Sequence, residues 1–158
     1  GYNTTETLIL SSGTIAGAIE GALWDIPSVA FSKCVPQELF AEISRHHGES
    51  KGAYAKSLAH AADRAVELAR EIFEQQVSDG RVVNINFPAQ TTASTEIVET
   101  VPAKIKLGSL FEEHSPGKYK FRFTEGVICD DIEDSDRAVL DAGKISRSIL
   151  DFSRIGKR

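Results

Sequence analysis

The chain has 158 residues, of which 41% are hydrophobic and 26% charged, enough for one globular domain with a core of its own. Its net charge of −5 argues against binding of a nucleic-acid duplex, which needs clustered Lys and Arg to neutralise phosphates. No apolar run reaches the ~20 residues of a membrane span, and the start lacks the basic-then-apolar order of a signal peptide, so a soluble protein with no membrane partner is expected.

In chain order, Leu8-Ile9-Leu10 reads as a short strand buried on both faces of a parallel sheet. The run stops at Ser11-Ser12-Gly13-Thr14, and a helix pattern follows from about Thr14 to Leu23. Ile15, Ile19 and Leu23 make an apolar stripe, and Gly13, Gly17 and Gly21 make a smooth one beside it that permits close packing. A hydroxyl-rich turn at a helix N-terminus gathers backbone N–H groups and partial positive charge, and Gly13 admits a ligand without a Cβ in the way. Ser11, Ser12, Gly13 and Thr14 are therefore a candidate phosphate cradle. The plainer reading is that one of these hydroxyls caps the helix.

Asp25-Ile26-Pro27 breaks that helix, and Ser28 to Ser32 reads as the next strand, which completes a strand–helix–strand unit. Ligands of such sheets bind beyond the carboxyl ends of the strands, which makes Ser32 a possible lining residue; a cap or a solvated turn is the alternative. Glu38 to Ser50 carries no convincing period and reads as a solvated loop, including His46-His47, which have no third ligand nearby. From about Ala53 to Gln76, Tyr54, Leu58, Ala61, Ala65, Leu68 or Ala69, and Ile72 or Phe73 keep helical spacing, and Asp63, Glu67, Arg70, Glu71 and Glu74 fall on a solvated outer face. Val82 to Pro88 is strand-like, with Val83, Ile85 and Phe87 on one side and Asn84 and Asn86 on the other.

Beyond Pro88, Gln90 to Thr95 is a Thr/Ser-rich linker, followed by strand-like segments at Ile97–Val101, Ala103–Phe111 and Tyr119–Phe123. The last two, joined by His114-Ser115-Pro116-Gly117, make a β-hairpin arm whose Lys104, Lys106, Lys118 and Lys120 suit projection from the sheet. Glu133-Asp134-Ser135-Asp136 supplies the cap and first-turn charge of a short helix that Gly143 stops. Cys34 and Cys129 fit no zinc spacing; they read as two free thiols of a reducing compartment, the cytoplasm, with a disulfide as the alternative.

Four of these stretches, Gly1-Tyr2-Asn3-Thr4-Thr5, Ser11-Ser12-Gly13-Thr14-Ile15-Ala16-Gly17-Ala18-Ile19-Glu20-Gly21, Ile26 to Ser32, and Asn84-Ile85-Asn86-Phe87-Pro88, resemble in order the SurE family of metal-dependent nucleotidases. Asp136 to Leu150 resembles the family's closing segment, with a departure at Arg147, Ser148 and Ile149. The resemblance implies the C-terminal part of a doubly wound, Rossmann-like parallel α/β sheet with a projecting hairpin arm. Its parts would be core sheet and helices at 1–89, arm at 90–125, and C-terminal helix and strand at 126–158.

The activity it implies is hydrolysis of nucleoside 5'- or 3'-monophosphates with a divalent cation, Mg2+ or Mn2+. Asn3 would be a catalytic polar residue, Ser11 to Thr14 the phosphate site, and Asn84 and Asn86 would orient loops near the site or serve the sheet alone. The metal ligands that the resemblance implies, a pair of adjacent aspartates near the family's N-terminus, a serine in the following loop and the first asparagine there, are not in this sequence, which has no methionine and opens inside a motif. An N-terminally truncated chain, inactive alone, is therefore expected. The family's arms and C-terminal segments imply a homodimer or homotetramer. The competing expectation is a non-catalytic nucleotide-binding or assembly module.

Overall fold

The computed structural model describes residues 4–77, 79–122, 126–129 and 132–155. Its elements are α1 (Glu6–Ile9), α2 (Gly13–Leu23), β1 (Ser28–Lys33), α3 (Gln37–Arg45), α4 (Gly52–Gln75), β2 (Arg81–Phe87), β3 (Ile97–Glu99), β4 (Ile105–Lys106), β5 (Phe111–Ser115), β6 (Lys118–Phe121), β7 (Val127–Ile128), α5 (Asp136–Asp141) and β8 (Ile145–Asp151). The main sheet has the order β1-β2-β8-β3; β1 and β2 pair in parallel, as do β3 and β8, while β8 runs antiparallel to β2.

Strand alternation divides the core in two. Val83, Ile85 and Phe87 of β2 and Ile145 of β8 pack with Val29 and Phe31 against Ala61, Leu68 and Ile72 of α4. On the opposite face, Ala30, Val82 and Leu150 meet Ile9 of α1 and Ile15 and Ala22 of α2. A sheet covered on both faces by helices, with parallel pairs dominant, is the Rossmann-like α/β architecture expected from the sequence. Each fully buried aliphatic, such as Ile72, Val82 and Ile85, contributes about 1.5–3 kcal/mol.

Several local expectations are corrected. Leu8 to Leu10 is not a strand: Leu8 and Ile9 end α1, and Leu10 lies in the turn that follows. Only Ile9 of the three is buried and Leu10 is 77% exposed, an exposure pattern that a two-faced buried strand does not give. A run of three aliphatics carries no period, so it does not separate strand from helix. The βαβ unit consequently starts at β1, with α3 and α4 as the crossover to β2.

The segment read as loop from Glu38 contains α3, which begins just after Pro36 and half-buries Leu39 and Ile43, four apart. Gly21 is the packing glycine of α2, since a Cβ there would stand 2.5 Å from Ser28 Oγ, whereas one at Gly17 would meet nothing within 4 Å. The segment read as one strand from Ala103 to Phe111 is divided. β4 pairs with β7, and β5 pairs with β6 across a turn at Pro116-Gly117, where Gly117 has φ 73°. β5 and β6 form a two-stranded sheet apart from the main one, held by an edge-to-face contact of Phe111 with Phe121 at 5.8 Å between ring centroids. The expected strand end at Phe123 lies outside the described residues.

α5 forms as expected: Ser135 caps it by accepting the Ala138 N–H at 3.3 Å, and Gly143, at φ 76°, lets the chain turn into β8. Cys34 and Cys129 are free thiols. No helix among the described residues is long and apolar enough to cross a membrane.

Candidate functional site

The N-terminus of α2 carries the candidate cradle. Ser12 is the N-cap, with extended backbone, and its Oγ accepts the Ile15 N–H at 3.2 Å. Gly13 and Thr14 supply the next amides, which in any helix have no acceptor one turn earlier. Ser11, Gly13 and Thr14 are exposed and Ser12 is half-buried. A Cβ at Gly13 would meet none of the described residues within 4 Å, so their packing makes no use of the glycine. A cap and a cradle are compatible in general, because a hydroxyl has both acceptor lone pairs and a donor proton.

α2 and β1 are joined by a short turn and run in opposite directions: the Ala22 carbonyl accepts the Gly80 N–H, next to the start of β2, so the C-terminus of α2 lies at the amino end of the sheet. The Ser12–Thr14 turn is thereby directed to the end where β1 and β2 finish, which is where ligands of open α/β sheets bind. Ser32 stands there, half-buried and opposite Asn86 in the parallel register. Asn84 and Asn86 are fully buried on the face shared with Val82, flanked by Ala30 and Ser32 of β1 and by Ser148 and Ser146 of β8. Asn3 lies outside the described residues.

Two residues that the sequence reading did not single out organise this end. The Lys33 ammonium, last in β1, reaches Ser57 Oγ at 2.9 Å, Pro88 O at 2.8 Å, Thr91 Oγ1 at 3.1 Å and Ala89 O at 3.2 Å, and lies over the Tyr54 ring at 5.4 Å. It ties α4 to the loop that leaves β2. Burial lowers its pKa to about 8. No local pattern marks it, since its acceptors come from positions 24 to 58 residues later.

The second is Asp136, the first residue of α5 and fully buried. Its Oδ2 accepts the Thr5 N–H at 2.8 Å and its Oδ1 the Ala103 N–H at 3.0 Å. Burial pushes its pKa up, against the lowering effect of the amides of Ala103, Thr5 and Arg137. The sequence reading gave Asp136 only a helix-end charge, because an acid in the first turn already has that sufficient explanation.

Among the described residues no group of three or more His, Cys, Asp and Glu could hold a metal ion. Exposed His46 and His47, in the turn after α3, accordingly match the solvated reading.

The family model described as "Survival protein SurE" matches residues 1–108. The chain is 30% identical over 165 residues to the 5'-nucleotidase SurE of Methanothrix thermoacetophila, covering 99% of this chain and 58% of that protein. It is 32% identical over 163 residues to the 5'-nucleotidase SurE of Rhodopseudomonas palustris (strain BisB18), covering 98% and 58%. The crystal structure of the SurE protein from Aquifex aeolicus superposes with a TM-score of 0.61 at 20% identity, over 96% of this chain and 55% of that one, a likeness of fold. The chain thus spans somewhat over half the length of these relatives. With the ordered motifs, the two-sided sheet and a family match over more than half of its residues, the chain belongs to the SurE family.

Proposed function

We propose that this chain is part of a phosphomonoesterase that hydrolyses nucleoside monophosphates, with the phosphate held at Ser12, Gly13 and Thr14. The observation that carries the reading is the exposed first turn of α2, where a Cβ at Gly13 would meet none of the described residues within 4 Å, in a chain whose relatives are named 5'-nucleotidases. In the reaction, water attacks phosphorus, the ester P–O bond breaks, and the leaving nucleoside oxygen takes a proton. Charge on the phosphoryl oxygens is what fixed N–H and O–H donors at a helix terminus stabilise.

The chain's own groups bind and orient: the amides of Gly13 and Thr14 and the Ser11, Ser12 and Thr14 hydroxyls as donors, Asn3 as a polar contact to the substrate. The described residues do not fit a divalent cation; the Mg2+ or Mn2+ belonging to this reading would take its ligands from elsewhere. The proposed assembly is a homodimer or homotetramer through the β5–β6 arm and the C-terminal segment, in the cytoplasm.

The test is Ser12→Ala in the longer protein that carries the metal ligands, assayed with a nucleoside 5'-monophosphate and Mg2+ or Mn2+ alongside the melting temperature. A lost donor to the transition state lowers turnover by about 10²-fold or more. Loss of the cap alone costs about 1 kcal/mol and leaves the rate per folded molecule unchanged, and that outcome would remove the phosphate assignment.

A further inference from the structure

We propose that Asp136 is a positioning residue: its buried carboxylate holds Thr5 in a backbone conformation that threonine resists, and through Thr5 it fixes the start of α2. This rests on the reading of Ser12 to Thr14 as the phosphate site. An acid in a helix first turn ordinarily faces its own helix and solvent. Asp136 instead turns both oxygens inward, to amides 131 and 33 residues away. The ring closes on itself, because the Glu6 N–H donates to Ala103 O at 3.1 Å and the Asp136 N–H to Val101 O at 2.9 Å. Three segments of the chain meet on one side chain.

Thr5 is where the force is needed. Its φ of 66° and ψ of 147° lie in a region that is essentially glycine's, and a β-branched residue there is an outlier that persists only when its surroundings impose it. Its side chain is fully buried with an unpartnered hydroxyl, and so is that of Thr4, so neither contributes a bond that would hold the conformation. From Thr5 a continuous series of hydrogen bonds leads to the candidate site. Thr5 O accepts the Ile9 N–H at 3.2 Å, Ile9 O accepts the Ser12 N–H at 3.1 Å, and Ser12 Oγ accepts the Ile15 N–H at 3.2 Å. Release of Thr5 loosens α1 and, with it, the turn that aims the Gly13 and Thr14 amides. An anion site that depends on a few fixed donors loses affinity when its support shifts by an ångström.

The experiment titrates inorganic phosphate into the 158-residue chain and follows the amide resonances of Gly13 and Thr14, in wild type, Asp136→Asn, and Val139→Ala as a control. Val139 is buried in the same helix and makes none of these bonds. In Asp136→Asn an amide NH2 faces one of the two N–H donors, so one bond is lost. Phosphate affinity per folded molecule is expected to fall about tenfold in Asp136→Asn and less than about twofold in Val139→Ala. Thr5→Gly in the Asp136→Asn background should recover most of the loss, because glycine takes this backbone unaided.

Equal losses in Asp136→Asn and Val139→Ala, or no recovery with Thr5→Gly, would overturn the proposal. If wild-type Gly13 and Thr14 do not respond to phosphate, the phosphate reading fails, and the positioning role is decided by amide exchange at Ser12 and Ile15. Exchange about tenfold faster in Asp136→Asn than in Val139→Ala supports it, and equal exchange overturns it. Should Asp136→Asn alone not fold, the pair Thr5→Gly and Thr5→Gly/Asp136→Asn gives the same comparison: near-equal affinities support the role, and a tenfold gap removes it.

Discussion

Gly13→Ala isolates the phosphate cradle from the stability of the fold. The added Cβ meets no atom of the described residues within 4 Å, and the glycine lies at the first residue of a regular helix, so the substitution introduces no clash with them. Alanine also loses less backbone freedom than glycine, so stability should be unchanged or rise by up to about 1 kcal/mol. For a chain of this length that is a melting temperature raised by no more than about 2–4 °C. Every Cα–Cβ bond of a helix tilts toward its N-terminus, so the new methyl enters the space before the first-turn amides.

An anion that takes those N–H groups at about 2.7–3.1 Å must then retreat or lose a donor. Removal of one preorganised donor costs about 10²–10³ in turnover. The assay is single-turnover hydrolysis of a nucleoside monophosphate by the longer protein that carries the metal ligands, with phosphate titration as the binding measure, beside a thermal melt of the same preparation. A variant at least as stable as wild type that turns over or binds phosphate at the wild-type level would refute the reasoning, because no ligand could then be approaching this backbone.

Lys33→Met should lower the melting temperature by roughly 4–10 °C, from a loss of about 1.5–3 kcal/mol of charge-assisted bonds. The loss stops there because Ser57 Oγ keeps the Thr91 N–H and Ala89 O, and Pro88 O keeps Thr91 Oγ1; a complete failure to fold would contradict this accounting. Since Asp136 has a folded-state pKa above its ordinary value, its contribution is fully present below the usual carboxylate range and is lost as pH rises through the raised pKa. The stability of the wild type relative to Asp136→Asn, read from urea midpoints, should therefore be greatest below the usual carboxylate range and fall as pH rises above it; a relative stability that rises with pH would reverse the sign. Replacement of residues 110–122 by a short Gly-Ser linker should leave the far-UV circular dichroism of the core intact and lower the oligomeric state seen in sedimentation, because β5 and β6 pair with no strand of the main sheet. Unfolding of the whole domain would place the arm in the core.

What the sequence disclosed depended on how local the determining physics was. α2, α4 and α5 were legible from apolar spacing and from stop signals such as Asp25-Ile26-Pro27 and Gly143, all set within one or two turns. β1 followed from the break at Asp25-Ile26-Pro27, and β2 from the alternation of Val83, Ile85 and Phe87 with Asn84 and Asn86. α1 was not legible, since what shapes the chain at Thr5 is a carboxylate 131 residues away. α3 was legible in principle: Leu39 and Ile43 are four apart and follow Pro36, but exposed Phe40 and the His46-His47 turn obscured the period. At the site, the Ser12 cap was foreseeable from residue type alone. The Lys33 cluster was not, because four oxygens from two later segments make it, and two of them belong to residues that read as linker or helix.

β8 lies between β2 and β3 although it is the last strand among the described residues, and Leu150 and Ile145 supply one buried aliphatic residue to each face of the sheet. The order in which the chain leaves the ribosome is thus opposed to the order in which the sheet can close. β2 and β3 have no common neighbour until Ile145 to Asp151 has emerged, some 60 residues after Phe87. Pairings so distant in sequence pay their loop-closure entropy before any contact repays it, which slows folding and lengthens the exposure of unpaired strand edges. During synthesis, the edge of β2 that β8 will cover therefore waits unpaired, a nascent state suited to holdase chaperones and sensitive to translational pausing before residue 145.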